Sequence, residues 1–149
     1  MIEVYIDGLA EPYHRIVFIE GGEIEPGNPG IGTYGFVVYW DGKRIKEDCA
    51  VVGENVTNNY AEYAGLVQAL KYLDRYREER IVIRSDSKLL VNQMKGEWRA
   101  RKGQYLEKHQ EARKLAERFK QLEFGWIPRE KNKEADRLSR IAYTRHTVE

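Results

Sequence analysis

The fold is decided by the stretch Gly35-Phe36-Val37-Val38-Tyr39-Trp40-Asp41-Gly42. Its first six residues are mostly β-branched or aromatic, as in a strand. Asp-Gly between two such runs is a strong hairpin signal, so residues 44–52 form the partner strand. Towards the amino terminus, residues 2–6 read as a further short strand, which ends at Asp7-Gly8. The sequence therefore predicts an antiparallel meander of three strands.

Helices and short strands alternate after this meander. Thr57-Asn58-Asn59 can cap a helix, and apolar residues then recur at helical spacing up to about Asp74. Asp86-Ser87 can cap a second helix, which follows a buried strand at 80–84 and runs to Gly96. The remaining predicted elements are a helix spanning 105–119, a strand at 122–127 and a helix at 132–145.

The element order is β-β-β-α-β-α-α-β-α, apart from an insertion at about residues 12–26 that holds a short strand turning back at Gly21-Gly22. Crossovers through helices join parallel strands, whereas hairpins join antiparallel ones. We therefore expect an α/β protein with a five-stranded mixed sheet and helices packed on it. At 149 residues, the chain 1–149 has the length of a single domain.

Composition excludes several classes of protein. No apolar run approaches the roughly 20 residues of a membrane span, and the amino terminus has no secretory signal, so we expect a cytoplasmic protein. The single cysteine, Cys49, excludes an intramolecular disulfide and a cysteine-based zinc site. The abundance of Glu, Lys and Arg suggests a thermophilic source.

The charge is unevenly distributed along the chain. The net charge is +1, but residues 1–94 hold 10 Lys and Arg against 15 Asp and Glu, whereas residues 95–149 hold 15 against 9. Such a split points to a polyanionic partner, although two differently solvated surfaces would explain it equally well.

The segment Gly30-Ile31-Gly32-Thr33-Tyr34-Gly35 matches a dinucleotide-binding pattern, but that pattern must open a helix. Here a strand follows it, so we expect no nucleotide cofactor. The three histidines, His14, His109 and His146, share no metal-ligand spacing.

Four acidic residues fall where predicted elements begin or end: Asp7, Glu62, Asp86 and Asp136. Each of the last three has a structural explanation, because acids are favoured in the first turn of a helix. Asp7 closes an apolar strand and needs a partner. If the four meet, repulsion must raise their pKa values or recruit cations. Oxygen ligands of this kind select Mg²⁺ or Mn²⁺, and two such ions would support phosphodiester hydrolysis.

The chain resembles type 1 ribonuclease H (ribonuclease HI), nearer its archaeal and plant-like branch. The resemblance covers nearly the whole chain except about residues 12–26. Five motifs carry it: Tyr5-Ile6-Asp7-Gly8, Gly27-Asn28-Pro29-Gly30 with Tyr34-Gly35, Thr57-Asn58-Asn59-Tyr60-Ala61-Glu62, Ser85-Asp86-Ser87, and Ile127-Pro128-Arg129-Glu130-Lys131-Asn132-Lys133-Glu134-Ala135-Asp136.

The resemblance implies a ribonuclease H-like fold and cleavage of the RNA strand of RNA/DNA hybrids, leaving 5′-phosphate and 3′-hydroxyl ends. It implies two divalent cations, Mg²⁺ or Mn²⁺. Asp7 would bridge both ions, Glu62 and Asp86 would hold the ion near the attacking water, and Asp136 would hold the ion near the leaving oxygen.

The resemblance also implies residues that bind the hybrid. Asn28, Asn58 and Asn59 would contact the minor groove, and Thr57 would help to hold a DNA phosphate. The same residues suit a turn and a helix cap, and we expect both roles at once. We expect the enzyme to be a monomer.

Three departures from the family pattern concern the site. The connection between the last strand and the last acid holds no histidine; Arg129 or Glu130 occupies that neighbourhood, and His14 or His146 could substitute in space. A basic protruding loop is reduced to Lys95, Trp98, Arg99, Arg101 and Lys102, where Trp98 is either a core anchor or a stacking platform. The acidic insertion at 12–26 is expected to project away from the cleft.

Two alternatives stay open from the sequence. One is a non-catalytic nucleic-acid-binding module on the same fold, which loss of a metal ligand would mark. The other is a DNA-cutting nuclease of the resolvase or integrase type, which would lack the asparagine-rich groove motifs as a set.

Overall fold

The computed structural model describes residues 1–11, 18–19, 22–23, 30–100 and 102–148. Two single-turn 3₁₀ helices, Asp74–Tyr76 and Arg129–Lys131, accompany the main elements. The strands and helices are β1 Ile2–Glu11, β2 Phe18–Ile19, β3 Gly22–Glu23, β4 Gly30–Trp40, β5 Lys43–Val56, α1 Asn58–Leu73, β6 Arg80–Ser85, α2 Lys88–Met94, α3 Leu106–Ala116, β7 Gln121–Trp126 and α4 Lys133–Val148.

The main sheet has five strands in the order β5-β4-β1-β6-β7. β5, β4 and β1 are antiparallel, whereas β1, β6 and β7 are parallel. This arrangement confirms the predicted mixed sheet, with its meander followed by crossovers. β2 and β3 pair with each other, as the predicted reversal at Gly21-Gly22 requires; most of the insertion lies outside the described residues.

The β4–β5 hairpin has the geometry that its sequence predicts. Trp40 pairs with Lys43, and the two residues between them, Asp41 and Gly42, have φ values of +49° and +83°. Positive φ at both turn positions gives a turn whose twist matches that of the strands, and Asp-Gly tolerates it well.

β1 is longer than predicted, and the prediction that it ends at Asp7-Gly8 is wrong. Its parallel pairing with β6 stops at Ile6 opposite Ser85, but its antiparallel pairing with β4 continues to Glu11 opposite Ile31. β4 supplies backbone partners beyond the point where β6 turns away. Asp7 therefore lies within a strand, one residue past the end of the parallel ladder.

The core lies between the sheet and α1. Ile2, Val4 and Ile6 alternate along β1 and are buried with Leu66 and Leu70 of α1. α4 packs on the other face of the sheet, so close to β4 that a Cβ on Gly35 would clash with the Ala135 carbonyl oxygen. The described helices include none that is both long and apolar enough to cross a membrane.

Candidate active site at the carboxyl edge of the sheet

The structure brings the four predicted acids, Asp7, Glu62, Asp86 and Asp136, to one cleft of about 400 Å³. Its other lining residues come from the end of β1, the start of α1 and two arginine-bearing segments: Gly8, Leu9, Ala10, Asn58, Arg129 and Arg140. The cleft lies where β1 and β6 diverge, which is the edge at which ligands of parallel sheets gather.

Adjacent parallel strands place the two aspartates side by side. Ile6 pairs with Ser85, so Asp7 and Asp86 follow the last rung of the same ladder. The positions of these acids at strand ends predict such a juxtaposition only if the two strands are parallel and adjacent, which they are. α1 brings Glu62 to the same edge, close to Gly8, and the first turn of α4 brings Asp136.

Glu62 is half-buried and only partly satisfied. Its Oε2 atom is itself buried and has no hydrogen-bond partner among the described residues. Burial raises the pKa of Glu62 to about 7, against the effect of a hydrogen bond from the Ser87 side chain, which favours the ionised form; the charge of Asp86 adds to the rise. A buried carboxylate oxygen without a partner is costly, so a cation or a donor at this atom would stabilise the ionised form.

Asp7 has the most perturbed carboxyl group of the cleft. Burial raises its pKa to about 9, and the charge of Asp86 and a hydrogen bond with Asp136 act in the same direction. Burial also raises the pKa of Asp86, although a hydrogen bond from Asn132 and the charge of Arg129 oppose the rise. The cleft therefore holds more negative charge than its protein surroundings can stabilise.

The donor set of the cleft suits a hard divalent cation, because it consists of carboxylate oxygens with no sulfur or imidazole ligand. Across the described residues, no three Asp, Glu, His or Cys side chains already converge closely enough to hold one ion. An ion held by three of these carboxylates would require them to move closer together.

The raised pKa values predict that the metal-free protein loses stability as the pH rises. Asp7 and Glu62 bind protons more tightly in the folded chain than in the unfolded chain. Their contribution is complete below about pH 4 and is lost as the pH rises through 7 towards 9. Urea unfolding in EDTA should show the free energy of unfolding falling by several kcal/mol between pH 5 and pH 9, because each such group costs about 1.4 kcal/mol per pH unit between its unfolded and folded pKa values. A flat profile, or one equally steep in Asp7→Asn, would contradict the assignment.

Asn132 is a site residue that the sequence reasoning missed. It is buried, and its Nδ2 donates to the Ile6 carbonyl oxygen at 2.8 Å. Its side chain also hydrogen-bonds to Asp86, and its carbonyl accepts from the Asp136 backbone N–H at 3.1 Å. Asn132 thus connects β1, Asp86 and α4. Its place just before the helix was the available signal, but it indicates only a cap.

Arg140 was also missed. Its Nε atom donates to Asp136 Oδ2 at 3.1 Å, and its side chain lines the cleft. The two residues are four apart on α4, which places them on the same helix face. That spacing was the available signal in the sequence.

The asparagine-rich motif shows the capping role expected of it. Thr57 accepts a hydrogen bond from the Tyr60 backbone N–H at 3.1 Å, and Asn58 Oδ1 accepts one from Ala10 N at 2.6 Å. Gln104, a further residue that was missed, accepts from Thr57 N at 2.9 Å. Asn28 lies outside the described residues. The contacts of these residues with nucleic acid stay predictions.

A second cavity, of about 660 Å³, continues from Asn59 along α2. Trp98 lines it and is 49% exposed, so its interpretation as a core anchor is wrong. Arg99 also lines the cavity, and Lys95 and Lys102 are exposed nearby in the sequence. Arg101 lies outside the described residues.

The structure distinguishes among the residues that could replace the histidine found in many family members. Arg129 lines the acidic cleft, whereas Glu130 lines a different cavity beside Tyr5 and Tyr39. His146 lies 3.5 Å from Glu54 on β5 and does not line the cleft. His14 and the predicted direction of the 12–26 insertion fall outside the described residues.

Comparisons with known proteins agree with this fold. The family model described as "Reverse transcriptase-like" matches residues 25–142. "Bifunctional protein Rv2228c" of Mycobacterium tuberculosis is 35% identical over 127 residues, which are 85% of this chain and 35% of that protein. "Ribonuclease HI" of Halobacterium salinarum is 34% identical over 117 residues, which are 78% of this chain and 58% of that protein.

Among solved structures, LC11-RNase H1 in complex with an RNA/DNA hybrid superposes with a TM-score of 0.80 at 32% identity, covering 98% of this chain and 99% of that one. The chain therefore belongs to the reverse transcriptase-like family and, within it, to the type 1 ribonucleases H. It spans only about a third to three-fifths of the length of the two curated relatives.

Proposed function

We propose that this chain is a single ribonuclease H domain that hydrolyses the RNA strand of RNA/DNA hybrids. The observation that carries the proposal is the cleft of four carboxylates, in which Glu62 Oε2 has no hydrogen-bond partner among the described residues and burial raises the pKa of Asp7 to about 9. Such a cleft has the charge and the ligand type for divalent cations, and the hybrid bound by LC11-RNase H1 indicates the substrate class.

The four carboxylates would hold two Mg²⁺ or Mn²⁺ ions. Bound there, the ions would supply an activated water and would offset charge on the leaving 3′ oxygen, so that the products carry 5′-phosphate and 3′-hydroxyl ends. Asp7 would be shared between the ions, Glu62 and Asp86 would serve the attacking side, and Asp136 would serve the leaving side. The effects of Asp86, Asp136 and Glu62 on the pKa of Asp7 support this division.

Two arginine side chains that line the cleft would orient the scissile phosphate. Arg129 lines the cleft and stands in the segment where many family members carry a histidine. Arg140 is held against Asp136 and lines the same cleft. We assign to Arg129 the place of the missing histidine, because Glu130 and His146 do not line the cleft.

The DNA strand of the hybrid, which is not cut, would lie along the second cavity. Asn58 borders the acidic cleft, and Asn59, Trp98 and Arg99 extend the surface away from it. Small amides suit the wide minor groove of a hybrid, and an exposed indole suits stacking on a base or sugar. Thr57, with Asn28, would complete the contacts.

A cleavage assay with three matched duplexes tests the proposal. A labelled RNA/DNA hybrid, duplex DNA and duplex RNA of one sequence should be incubated with Mg²⁺ and then Mn²⁺. We expect cleavage of the hybrid's RNA strand at least about 100-fold faster than of either other duplex. Cutting of duplex DNA would instead indicate a resolvase-like enzyme, and tight binding without cleavage would indicate a binding module.

A further inference from the structure

Trp126 is a large side chain at an unusual place beside the site. It is the last residue of β7 and is 45% exposed. Its indole Nε1 donates to the backbone carbonyl oxygen of Asp86 at 3.1 Å. This contact joins β7 to the backbone of a residue that the proposed function treats as a metal ligand.

Asp86 stands in the two-residue turn between β6 and α2. The sheet ends one residue before it, because the Ile127 backbone N–H bonds to the carbonyl of Ser85 at 3.0 Å. The first backbone bond of α2 starts one residue after it, from Val91 N to Ser87 O at 3.1 Å. The Asp86 carbonyl thus falls between the sheet ladder and the helix, and the indole donates to it there.

The ring itself is held in place from the other side of the turn. Lys88 Nζ lies 4.8 Å from the centre of the Trp126 ring, at the distance of a cation–π contact. Two further residues of the segment after β7 act on the carboxyl group of Asp86: Arg129 through its charge and Asn132 through a hydrogen bond. One segment, 126–132, therefore contacts Asp86 at both its backbone and its side chain.

We propose that Trp126 is a positioning residue for Asp86, whose indole N–H fixes the turn and so the direction of the carboxylate towards the cation. This inference rests on the proposed function, because it takes the Asp86 carboxylate as a metal ligand. Residues that orient metal ligands without touching the metal commonly change metal affinity strongly when they are replaced.

The test compares Trp126→Phe with Trp40→Phe. Phenylalanine keeps an aromatic face for Lys88 but has no N–H. Trp40 lies at the opposite end of the sheet, packed on Tyr76, and provides a matched tryptophan-to-phenylalanine control. Titration of the metal-free proteins with MnCl₂ in a calorimeter should give a Mn²⁺ Kd roughly 10-fold higher for Trp126→Phe and unchanged for Trp40→Phe.

Kinetics give a second readout that a merely structural role would not move. In Trp126→Phe, kcat on the hybrid should fall at low Mn²⁺ and recover at high Mn²⁺, with KM for the hybrid unchanged within about twofold. A thermal unfolding curve checks that the variant is folded at the assay temperature. A lower Tm with unchanged Mn²⁺ Kd and kcat would overturn the positioning role.

The outcomes separate this inference from the proposed function. If the wild-type protein binds Mn²⁺ but does not cut the hybrid, and Trp126→Phe still weakens binding, the function fails and the positioning role stands. If the wild-type protein cuts the hybrid but Trp126→Phe binds Mn²⁺ normally, the function stands and the positioning role fails. A wild-type protein that binds no Mn²⁺ overturns both.

Discussion

Asp7→Asn is expected to abolish cleavage of the hybrid, with kcat falling by at least about 10³-fold at saturating Mg²⁺. Asp7 is the carboxylate on which Asp86, Asp136 and Glu62 all act. An amide keeps its size but cannot carry the charge that two cations require. Single-turnover cleavage of a labelled hybrid measures the effect directly.

The same substitution is expected to stabilise the metal-free protein. Burial and neighbouring carboxylates raise the pKa of Asp7 to about 9. At pH 8 the chain must therefore either take up a proton at Asp7 when it folds or bury a charged carboxylate. Asparagine avoids both costs in free energy. The free energy of unfolding in EDTA should rise by about 1–3 kcal/mol at pH 8. A gain in stability with a loss of activity is typical of a carboxylate kept for function rather than for folding.

The matched control is Asp41→Asn at the β4–β5 hairpin. Asp41 is exposed, pairs with the amino terminus and has a φ of +49°, which asparagine tolerates well. The Asp41→Asn variant should cleave the hybrid at a rate within about twofold of wild type, because the β4–β5 turn lies at the end of the sheet away from the cleft. Near-wild-type cleavage by Asp7→Asn would remove Asp7 from the site.

The features that could be predicted from the sequence are those that depend on local chemistry or on the order of the strands. Asp41-Gly42 defines a two-residue turn by its own dihedral preferences, and the structure has it. Asp7 and Asp86 each fall at the end of a predicted strand, so they would lie together if those strands were parallel neighbours, as β1 and β6 are. The four carboxylates of the cleft could therefore be predicted, although the end of β1 could not, since its pairing beyond Asp7 comes from β4.

Residues that act through distant contacts were not predictable in this way. Asn132 bonds to the carbonyl of Ile6, 126 positions earlier, and Trp126 bonds to that of Asp86, 40 positions earlier. Neither contact follows from a periodicity or a cap, because the acceptor is a backbone atom that any residue would offer. Such side chains become visible only when the strands and helices are placed in space.

Gly8→Ala is expected to damage both folding and activity, for a reason distinct from charge. A Cβ on Gly8 would lie 2.5 Å from the backbone nitrogen of Glu62 and 2.6 Å from the Ala61 carbonyl carbon. These are backbone atoms of α1, so the helix must shift away from β1. Overpacking of this kind costs about 1–3 kcal/mol or more, which urea unfolding should detect.

The shift of α1 should also slow cleavage, because α1 carries Glu62 into the cleft. A displacement of about 1 Å at a reacting group can cost 10²-fold in rate, so cleavage should fall by roughly that factor at a temperature where the variant is folded. Gly125→Ala on β7 is the matched control: nothing lies within 4 Å of its added methyl group, and both stability and rate should stay close to wild type. If Gly8→Ala loses stability yet keeps its rate, the contact between β1 and α1 supports only the fold, and Glu62 tolerates movement that a metal ligand would not.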